Sequence, residues 1–224
     1  MLVYNPPRDD CPVIYRDEFL LVVNKPAGLL SVPGRGADKA DCLISRMQST
    51  WPDVLAVHRL DMCTSGLLLL ARGMVMQRRL SAMFRERQVG KRYVARVAGR
   101  MAAMVGEVDL PIGPDWPNRP RQKVDMVEGK PSLTRFRVLG LENSRNNPHV
   151  GGSGETSVSR IELEPVTGRT HQLRLHLSAI GHPILGDRLY GTGQAERLML
   201  HARSLDFAHP VSGEALSVFC EAPF

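Results

Sequence analysis

A short apolar run, Gly66–Ala71 (GLLLLA), most constrains what this chain can fold into. No apolar run in the sequence approaches the roughly 20 residues that a membrane-spanning helix needs. A run of this length between a glycine and an arginine is instead typical of a fully buried β-strand. The sequence therefore predicts a buried strand over Leu67 to Ala71, entered from the polar segment that precedes it.

Strand-like and helical patterns alternate along the rest of the chain. Strands are expected at Val13–Val23 (two, around a turn at 16–18), Lys91–Gly99, Leu133–Leu139 paired with Val158–Leu163, His201–Leu205 and Leu216–Phe219. Helices are expected at Asp41–Ser49 with Asp41 as N-cap, at Met74–Glu86, and at Thr170–Ile180 with Thr170 as cap and Gly181 after its end. Strands and helices mixed with hairpin-length connections predict an α+β fold with a mainly antiparallel sheet and flanking helices.

The apolar stripe of each helix can be read from its spacing. Leu43, Ile44 and Met47 are expected to share the buried side of the first helix. In the second, Val75, Leu80, Met83 and Phe84 should face inwards while Arg78, Arg79 and Arg85 face out. In the third, the stripe is Leu173, Leu177 and Ile180.

Two segments are expected to be irregular. Leu110–Lys123 contains four prolines, which predicts an ordered or substrate-gripping loop without regular structure. Glu142–Ser157 is rich in Asn, Gly and Ser, and is expected to form a flexible hairpin tip.

The charge distribution points to a polyanionic partner more strongly than the net charge does. The chain has 29 Lys and Arg against 23 Asp and Glu, a formal net charge of +6. Basic residues concentrate in two stretches: Arg72, Arg78, Arg79, Arg85, Arg87, Lys91, Arg92, Arg96 and Arg100, then Arg119, Arg121, Lys123, Lys130, Arg135 and Arg137. One such cluster is equally consistent with a solvated helix face. Two clusters that flank the same central segment favour contacts with a phosphate backbone.

Cysteine and histidine spacing gives no sign of a metal centre or of disulfides. Cys11, Cys42, Cys63 and Cys220 lie far apart without a C-x-x-C pair, a pattern that suits reduced thiols. The seven histidines form neither an H-x-x-x-H nor an H-E-x-x-H motif, so no metal is expected. The N-terminal residues have neither a charged leader nor an apolar core, so a cytoplasmic protein is expected.

The segment His58–Gly66 (HRLDMCTSG) places an aspartate beside the buried strand. Asp61 lies in a polar loop, followed by the small Thr64-Ser65-Gly66 that a tight turn needs. The local pattern alone favours a structural aspartate that caps the loop over a catalytic one.

Two further segments contain candidate functional residues. In Gly168–His176, Arg174 shares a helix face with Thr170 and His171 and lies at the edge of the buried side, where it needs a carboxylate partner such as Asp61. Tyr93 lies on a strand among Lys91, Arg92 and Arg96. Its pattern fits a core tyrosine and a base-stacking platform equally well.

Taken in order, five segments resemble the RluA family of RNA pseudouridine synthases over nearly the whole chain. They are Val22–Leu29 (VVNKPAGL), His58–Gly66 (HRLDMCTSG), Lys91–Ala95 (KRYVA), Gly168–Arg174 (GRTHQLR) and Gly181–Asp187 (GHPILGD). The resemblance implies a single catalytic domain over residues 1–224 with a central RNA-binding cleft and without the N-terminal S4 domain of many relatives. The compact length and the Asp115–Pro120 loop are similar to those of dual-specificity members, which modify both 23S rRNA and a tRNA anticodon stem-loop.

Carried over residue by residue, the resemblance implies a catalytic set of three. Asp61 corresponds to the essential aspartate, Tyr93 to the tyrosine that stacks on the target base, and Arg174 to the arginine paired with Asp61. Arg59 resembles the arginine that enters the space left by a flipped nucleotide. Further RNA contacts are expected from His58, Thr64, Arg119, Arg169 and His171. One departure is Cys63, where a small residue such as Ala is expected.

The implied reaction breaks the N1–C1′ bond of uridine and rebonds the base through C5, with no redox change and no expected cofactor. An ionised carboxylate is suited to the electron-poor C1′ centre, as in glycoside hydrolysis. The sequence leaves open whether Asp61 attacks C1′ or deprotonates C2′. It also leaves two rival classes: an RNA-binding protein without turnover, and a nucleoside hydrolase or glycosidase. RNA is the expected partner, with no membrane, and the expected state is a monomer.

Overall fold

The computed structural model describes residues 4–143, 157–193 and 195–224. Two compact units make up the chain, Met1–Lys91 with His201–Pro223, and Arg92–Leu200 with Phe224. The α-helices are α1 (Leu43–Gln48), α2 (Gly73–Arg85) and α3 (Gln172–Ala179). The strands are β1 (Val13–Arg16), β2 (Leu20–Lys25), β3 (Val54–Ala56), β4 (Ser65–Arg72), β5 (Gly90–Ala98), β6 (Val105–Asp109), β7 (Ile112–Pro114), β8 (Gln122–Val124), β9 (Leu133–Asn143), β10 (Ser157–Pro165), β11 (Leu200–Ala208) and β12 (Ala215–Phe219). This mixture confirms the α+β class.

The first unit contains strands in the order β1-β2-β4-β11, with β3 also paired to β4 and β12 to β11. All of these pairs are antiparallel except β4 with β11, which is parallel. β4 is buried from Ser65 to Ala71, so the predicted buried strand is confirmed. Its Leu67 and Leu69 pack against Leu80 of α2 and Phe207 of β11, and each fully buried leucine contributes about 1.5–3 kcal/mol.

The first unit's helices depart from the sequence predictions in two details. Cys42, not Asp41, is the N-cap of α1: its Sγ accepts the amide of Ser45 while Ser45 Oγ accepts the amide of Cys42. Asp41 instead pairs with Arg46 at 2.8 Å. In α2, Leu80 and Met83 are buried as expected, but Val75 is 72% exposed and Met76 takes its place. Met76 precedes Leu80 by about one helical turn, whereas Val75 is rotated away from the stripe.

Strands of the second unit follow the order β5-β10-β9-β6, all antiparallel. The pairing of β9 with β10 confirms the predicted hairpin, and most of the tip expected at 142–157 lies outside the described residues. The proline-rich segment is more regular than predicted. β7 and β8 form a two-stranded antiparallel sheet there, because each proline falls either outside these two strands or at the end of one of them.

α3 begins later than predicted. Its N-cap is His171, in the left-handed conformation with φ 55°, and not Thr170. Every residue from Gln172 to Leu177 is buried, whereas Ile180 is 37% exposed and does not extend the predicted stripe. Gly181, with φ +83°, follows the helix end as expected. None of the helices in the described part of the chain has the length and apolar character to cross a membrane.

Candidate active site

Asp61 lies in a tight turn immediately before β4. Its carbonyl accepts the amide of Thr64 at 3.1 Å, which closes the turn. Asp61 is partly buried. Thr64 and Ser65, which follow, are each only 3% exposed. The backbone of Asp61 is therefore fixed just ahead of the first residue of β4, the most buried strand of its unit.

A buried lysine holds the same turn from the other side. Lys25, at the end of β2, is 0% exposed, and its ammonium donates to the carbonyls of Pro26 (2.9 Å), Leu29 (2.7 Å) and Met62 (3.1 Å). The Met62 carbonyl also accepts the amide of Gly28 at 2.8 Å. A buried charge is costly unless it is fully hydrogen-bonded, and an ammonium has three donors. Lys25 therefore ties the loop after β2 to the residue next to Asp61.

Ser31 braces the residue on the other side of Asp61. Its buried hydroxyl donates to the carbonyl of Leu60 at 2.7 Å and accepts the amide of Leu60 at 3.1 Å. The backbone on both sides of Asp61 is thus held by side chains of the 25–31 segment. Sequence reasoning missed both side chains, although a lysine closing the apolar strand β2 was a readable signal.

Gly66, the last residue of the His58–Gly66 segment, is required for steric reasons. Gly66 adopts φ +114°, and a Cβ there would collide with the backbone of Ala202 on the parallel neighbour β11. Next to it, Ser65 Oγ and His201 Nδ1 are hydrogen-bonded at 2.9 Å, with both residues buried. The start of β4 is therefore in close contact with the backbone of β11.

His58 and Arg59 have different environments. His58 Nε2 accepts the amide of Leu69 at 2.9 Å, and its ring stacks on Phe84 with centroids 4.2 Å apart. Burial, aided by the positive charge of Lys91, lowers the pKa of His58 to about 3, so the ring is neutral. Arg59 is exposed. His58 thus has a clear packing role, and its expected contact with RNA stays a prediction, as does that of the buried Thr64.

In the second unit, Arg174 is held by a carboxylate that sequence reasoning did not choose. Its Nε and Nη2 each lie 2.8 Å from an oxygen of Asp187, a bidentate pair with both side chains buried. Burial alone would raise the pKa of Asp187, but hydrogen bonds from Arg174 and from the amides of Leu189 and Tyr190 outweigh it and lower the pKa. Asp187 therefore fixes the direction of the Arg174 guanidinium. The pairing of Arg174 with Asp61 stays a prediction.

α3 itself is anchored by buried polar side chains. Gln172 donates to the Leu133 carbonyl (2.9 Å) and to Thr134 Oγ1 (3.0 Å). His176 lies 2.9 Å from both Thr134 Oγ1 and the Leu110 carbonyl. Because a carbonyl only accepts, Nε2 of His176 carries the proton. Burial lowers the pKa of His176, which disfavours a second proton on the ring. The helix carrying Arg174 is therefore locked to the start of β9.

Tyr190 gathers several of the second unit's polar residues. Its hydroxyl accepts the amide of Gln122 (2.6 Å) and lies 2.8 Å from His171 Nδ1. The guanidinium carbons of Arg174 and Arg121 lie 5.4 and 5.5 Å from its ring centroid. The structure thus brings the predicted residues His171 and Arg174 together around a tyrosine that the sequence predictions did not include.

The other predicted residues of this unit lie on different elements. Tyr93 lies on β5 opposite Leu163 and is partly buried. Arg169 is exposed ahead of α3, and its amide donates to Gln172 Oε1 at 3.1 Å. Arg119 is exposed in the β7–β8 connection. Of the predicted set, His58, Arg59, Asp61 and Thr64 belong to the first unit and the remainder to the second.

Part of the second basic stretch is neutralised by carboxylates. Arg135 pairs with Glu107 at 2.7 Å and Arg137 with Glu162 at 2.8 Å. Together with Arg92 they line a cavity of about 290 Å³ on the sheet of the second unit. For Arg135 and Arg137, the structure favours a cross-strand ion-pair role. The described residues contain no cluster of three His, Cys, Asp or Glu side chains that could hold a metal ion.

Comparison with solved structures defines the class of protein. The fold is that of the pseudouridylate synthases: human RNA Pseudouridylate Synthase Domain Containing 1 superposes with a TM-score of 0.76 at 32% identity, covering 96% of this chain and 84% of that one. Human RNA Pseudouridylate Synthase Domain Containing 4 gives a TM-score of 0.69 at 27% identity, with 94% and 88% covered.

Sequence comparison places the chain within that class. A family model described as RNA pseudouridylate synthase matches residues 19–179. The Dual-specificity RNA pseudouridine synthase RluA of Vibrio parahaemolyticus is 46% identical, covering 100% of this chain and 88% of the relative. The protein of the same name from Escherichia coli K12 is 45% identical, with 99% and 98% covered. The chain belongs to the RNA pseudouridylate synthase family, and its activity is that of an RNA pseudouridine synthase, an isomerase.

Proposed function

We propose that the protein isomerises specific uridines in 23S rRNA and in a tRNA anticodon stem-loop, with Asp61 as the essential catalytic residue. The dual target is supported by the similarity to relatives named dual-specificity, at 45–46% identity over 99–100% of this chain. The observation that carries the assignment of Asp61 is the bracing of its turn. Lys25 and Ser31 fix the backbone on either side of it, which is how a reactive group is held to a narrow range of positions.

The chemistry that we propose needs one ionised carboxylate. Asp61 acts either as a nucleophile that bonds to C1′ as N1 leaves and is displaced when C5 bonds there, or as a base that takes the C2′ proton and returns it afterwards. The detached uracil rotates in between, N1 takes up a proton, and the C5 proton is released to solvent. Arg174 is proposed to pair with Asp61 and to favour its charged form. Asp187 supports this role because it holds the guanidinium at two points, 2.8 Å each. Tyr93 is proposed to stack on the uracil and exclude water, and no cofactor or metal is required.

The target base has to leave its stack, at a cost of roughly a few kcal/mol. We propose that the exposed Arg59 fills the gap that the base leaves. Contacts with the RNA are proposed for Arg119, Arg169, His171, His58 and Thr64. The proposal also includes a single catalytic domain over residues 1–224, a monomer, and action in the cytoplasm on rRNA and tRNA.

Tritium release from RNA labelled at uridine C5 tests the proposal. We expect release with the wild type, none with Asp61→Asn, and normal release with Asp38→Asn, which changes an exposed carboxylate of the same unit. RNA binding and thermal unfolding of Asp61→Asn should match the wild type. Loss of RNA binding with Asp61→Asn would show a structural role instead.

The same assay separates the rival functions. A non-catalytic RNA-binding protein would bind the labelled RNA without any release. A nucleoside hydrolase would set free uracil, which chromatography of the products detects, and would leave no pseudouridine in the chain. Mapping pseudouridines in RNA from cells with and without the gene then identifies the targets.

A further inference from the structure

The connection between β7 and β8 is an ordered projection with a short helical turn, Trp116–Asn118. Asp115 donates its amide to the carbonyl of Arg121 (3.1 Å), and Arg121 donates to Asn118 (2.9 Å). The Asn118 side chain contacts both carboxylate oxygens of Asp115, at 3.0 and 3.1 Å. The tip is therefore preorganised by its own hydrogen bonds, which reduces the entropy lost on binding.

Trp116 is presented to solvent on this tip. The residue is 63% exposed, although tryptophan is highly buried on average. The guanidinium of Arg119 lies over its ring, 3.8 Å from the centroid. One ring face is thus covered by a cation, and the large exposed fraction leaves the other face accessible.

The charges around Trp116 favour a nucleobase as its occupant over an apolar protein segment. Arg119 and Arg121 are both exposed, and the carboxylate of the same connection, Asp115, is engaged by Asn118. An aromatic ring with arginines beside it matches the combination that binds single-stranded nucleic acid, in which the ring stacks on a base and the guanidinium groups contact phosphate.

We propose that Trp116, backed by Arg119, is a stacking site for an unpaired nucleobase of the substrate RNA other than the uridine that reacts. This inference rests on the proposed function, because it requires an RNA substrate. It adds a recognition residue on the β7–β8 tip, and it gives Arg119 a specific part: to stack on the indole and to attract the phosphate next to the bound base.

Intrinsic fluorescence reports on this site directly. The chain has two tryptophans, Trp51 and Trp116, so Trp51→Phe leaves Trp116 as the sole indole. We expect a synthetic tRNA anticodon stem-loop to quench the fluorescence of Trp51→Phe. A fully paired RNA duplex at the same concentration should not. Equal quenching by the duplex, or no quenching by the stem-loop, would overturn the proposal.

Variants separate stacking from charge. Trp116→Ala should weaken binding of the stem-loop about tenfold, Trp116→Phe should retain most of the affinity, and the turnover rate at saturating RNA should stay close to wild type. Arg119→Lys should bind more weakly than wild type despite the retained charge, because an ammonium does not stack like a planar guanidinium. Val127→Ala, at a 92% exposed apolar position of the same unit, is the matched control and should have no effect.

The outcomes also distinguish this inference from the proposed function. If wild-type protein forms pseudouridine and Trp116→Ala binds RNA as the wild type does, stacking is refuted while the enzyme assignment stands. If the wild type forms no pseudouridine in any RNA, the proposed function fails, whatever the behaviour of Trp116.

Discussion

Lys25 and Arg174 are both buried cations, yet they are stabilised in different ways. Arg174 is held by a carboxylate, Asp187, in a bidentate pair, whereas Lys25 donates to three backbone carbonyls. A planar guanidinium matches a carboxylate, and a rotating ammonium can satisfy separate oxygens that point at it. The two cations fix the Asp61 turn in one unit and a helix in the other.

Replacing Lys25 should damage both stability and activity. Lys25→Met leaves three carbonyls without the ammonium, and we expect the free energy of unfolding to fall by about 2–5 kcal/mol, as measured by urea denaturation. Lys25→Met protein that remains folded should convert saturating RNA more slowly, because its Met62 carbonyl no longer anchors the Asp61 turn. Lys39→Met, at a lysine whose ion pair is with an exposed aspartate, is the control and should match wild type. Wild-type stability in Lys25→Met would contradict the anchoring role.

His58 should make the protein less stable in mild acid. Its pKa is about 3 in the fold, well below the ordinary value of 6.5, so the unfolded chain binds the proton more readily. Stability is then full above pH 6.5 and falls as the pH drops towards 3, by at most about 1.4 kcal/mol per pH unit. We expect urea titrations between pH 7 and 5 to show a steeper loss for wild type than for His58→Gln, which keeps an acceptor for Leu69.

The pKa of His176 is also lowered, so this residue also reduces stability in acid. Its contribution is the same in wild type and in His58→Gln, and it cancels in the comparison. Parallel pH curves for wild type and His58→Gln would show that His58 is not held neutral by the fold.

At the scale of elements, the start of β4 has no room for a side chain at Gly66. Gly66→Ala would place a Cβ against the backbone of Ala202 and force a side chain into φ +114°. We expect a loss of several kcal/mol in the free energy of unfolding, since backbone strain and overpacking each cost about 1–3 kcal/mol. Gly140→Ala, in β9, is the matched control: nothing lies within 4 Å of its Cβ position, so thermal unfolding should change little. Equal effects would rule out the steric explanation.

The elements with a strong periodic pattern were predictable from sequence, and their ends were not. The apolar run of β4 and the stripe of α1 specify burial directly. Helix starts depend on single capping atoms, and the Sγ of Cys42 is a weaker sequence signal than the carboxylate of Asp41. The β7–β8 ladder was missed because four prolines suggested a loop, although Pro111 and Pro114 sit where the ladder begins and ends.

The candidate site was predictable only in part for a similar reason. The signature His58–Gly66 pointed to Asp61, whose catalytic role stays a prediction, but the groups that hold its turn come from residues 25–31. They contact backbone atoms, so the residue types of their partners give no signal, and only the lysine at the end of β2 was readable. Asp187 lay within the Gly181–Asp187 motif, yet its partnership with Arg174 depends on tertiary folding. Tyr190, which contacts residues of two segments, had no local signal at all.

At the scale of the whole molecule, the net charge of +6 should make RNA binding strongly dependent on salt. Each phosphate that is neutralised releases counterions, so log affinity falls linearly with log salt concentration, with a slope of about −0.7 per contact for single strands. We expect Arg169→Ala to reduce the slope by about 0.7, because Arg169 is exposed and is proposed to contact the RNA, here through a phosphate. Arg137→Ala should leave the slope nearly unchanged, since Arg137 is already paired with Glu162. An affinity independent of salt would refute phosphate contacts altogether.

The carbonyl anchor of Lys25 also predicts which substitutions the enzyme tolerates. Every amino acid carries a carbonyl oxygen, so positions 26, 29 and 62 can supply the anchor whatever their side chains are. A salt bridge, by contrast, restricts the residue type at both of its ends. Saturation mutagenesis should therefore find position 25 nearly invariant beside a permissive position 62, so that a single amine keeps the Asp61 turn in place while the residues around it are free to diverge.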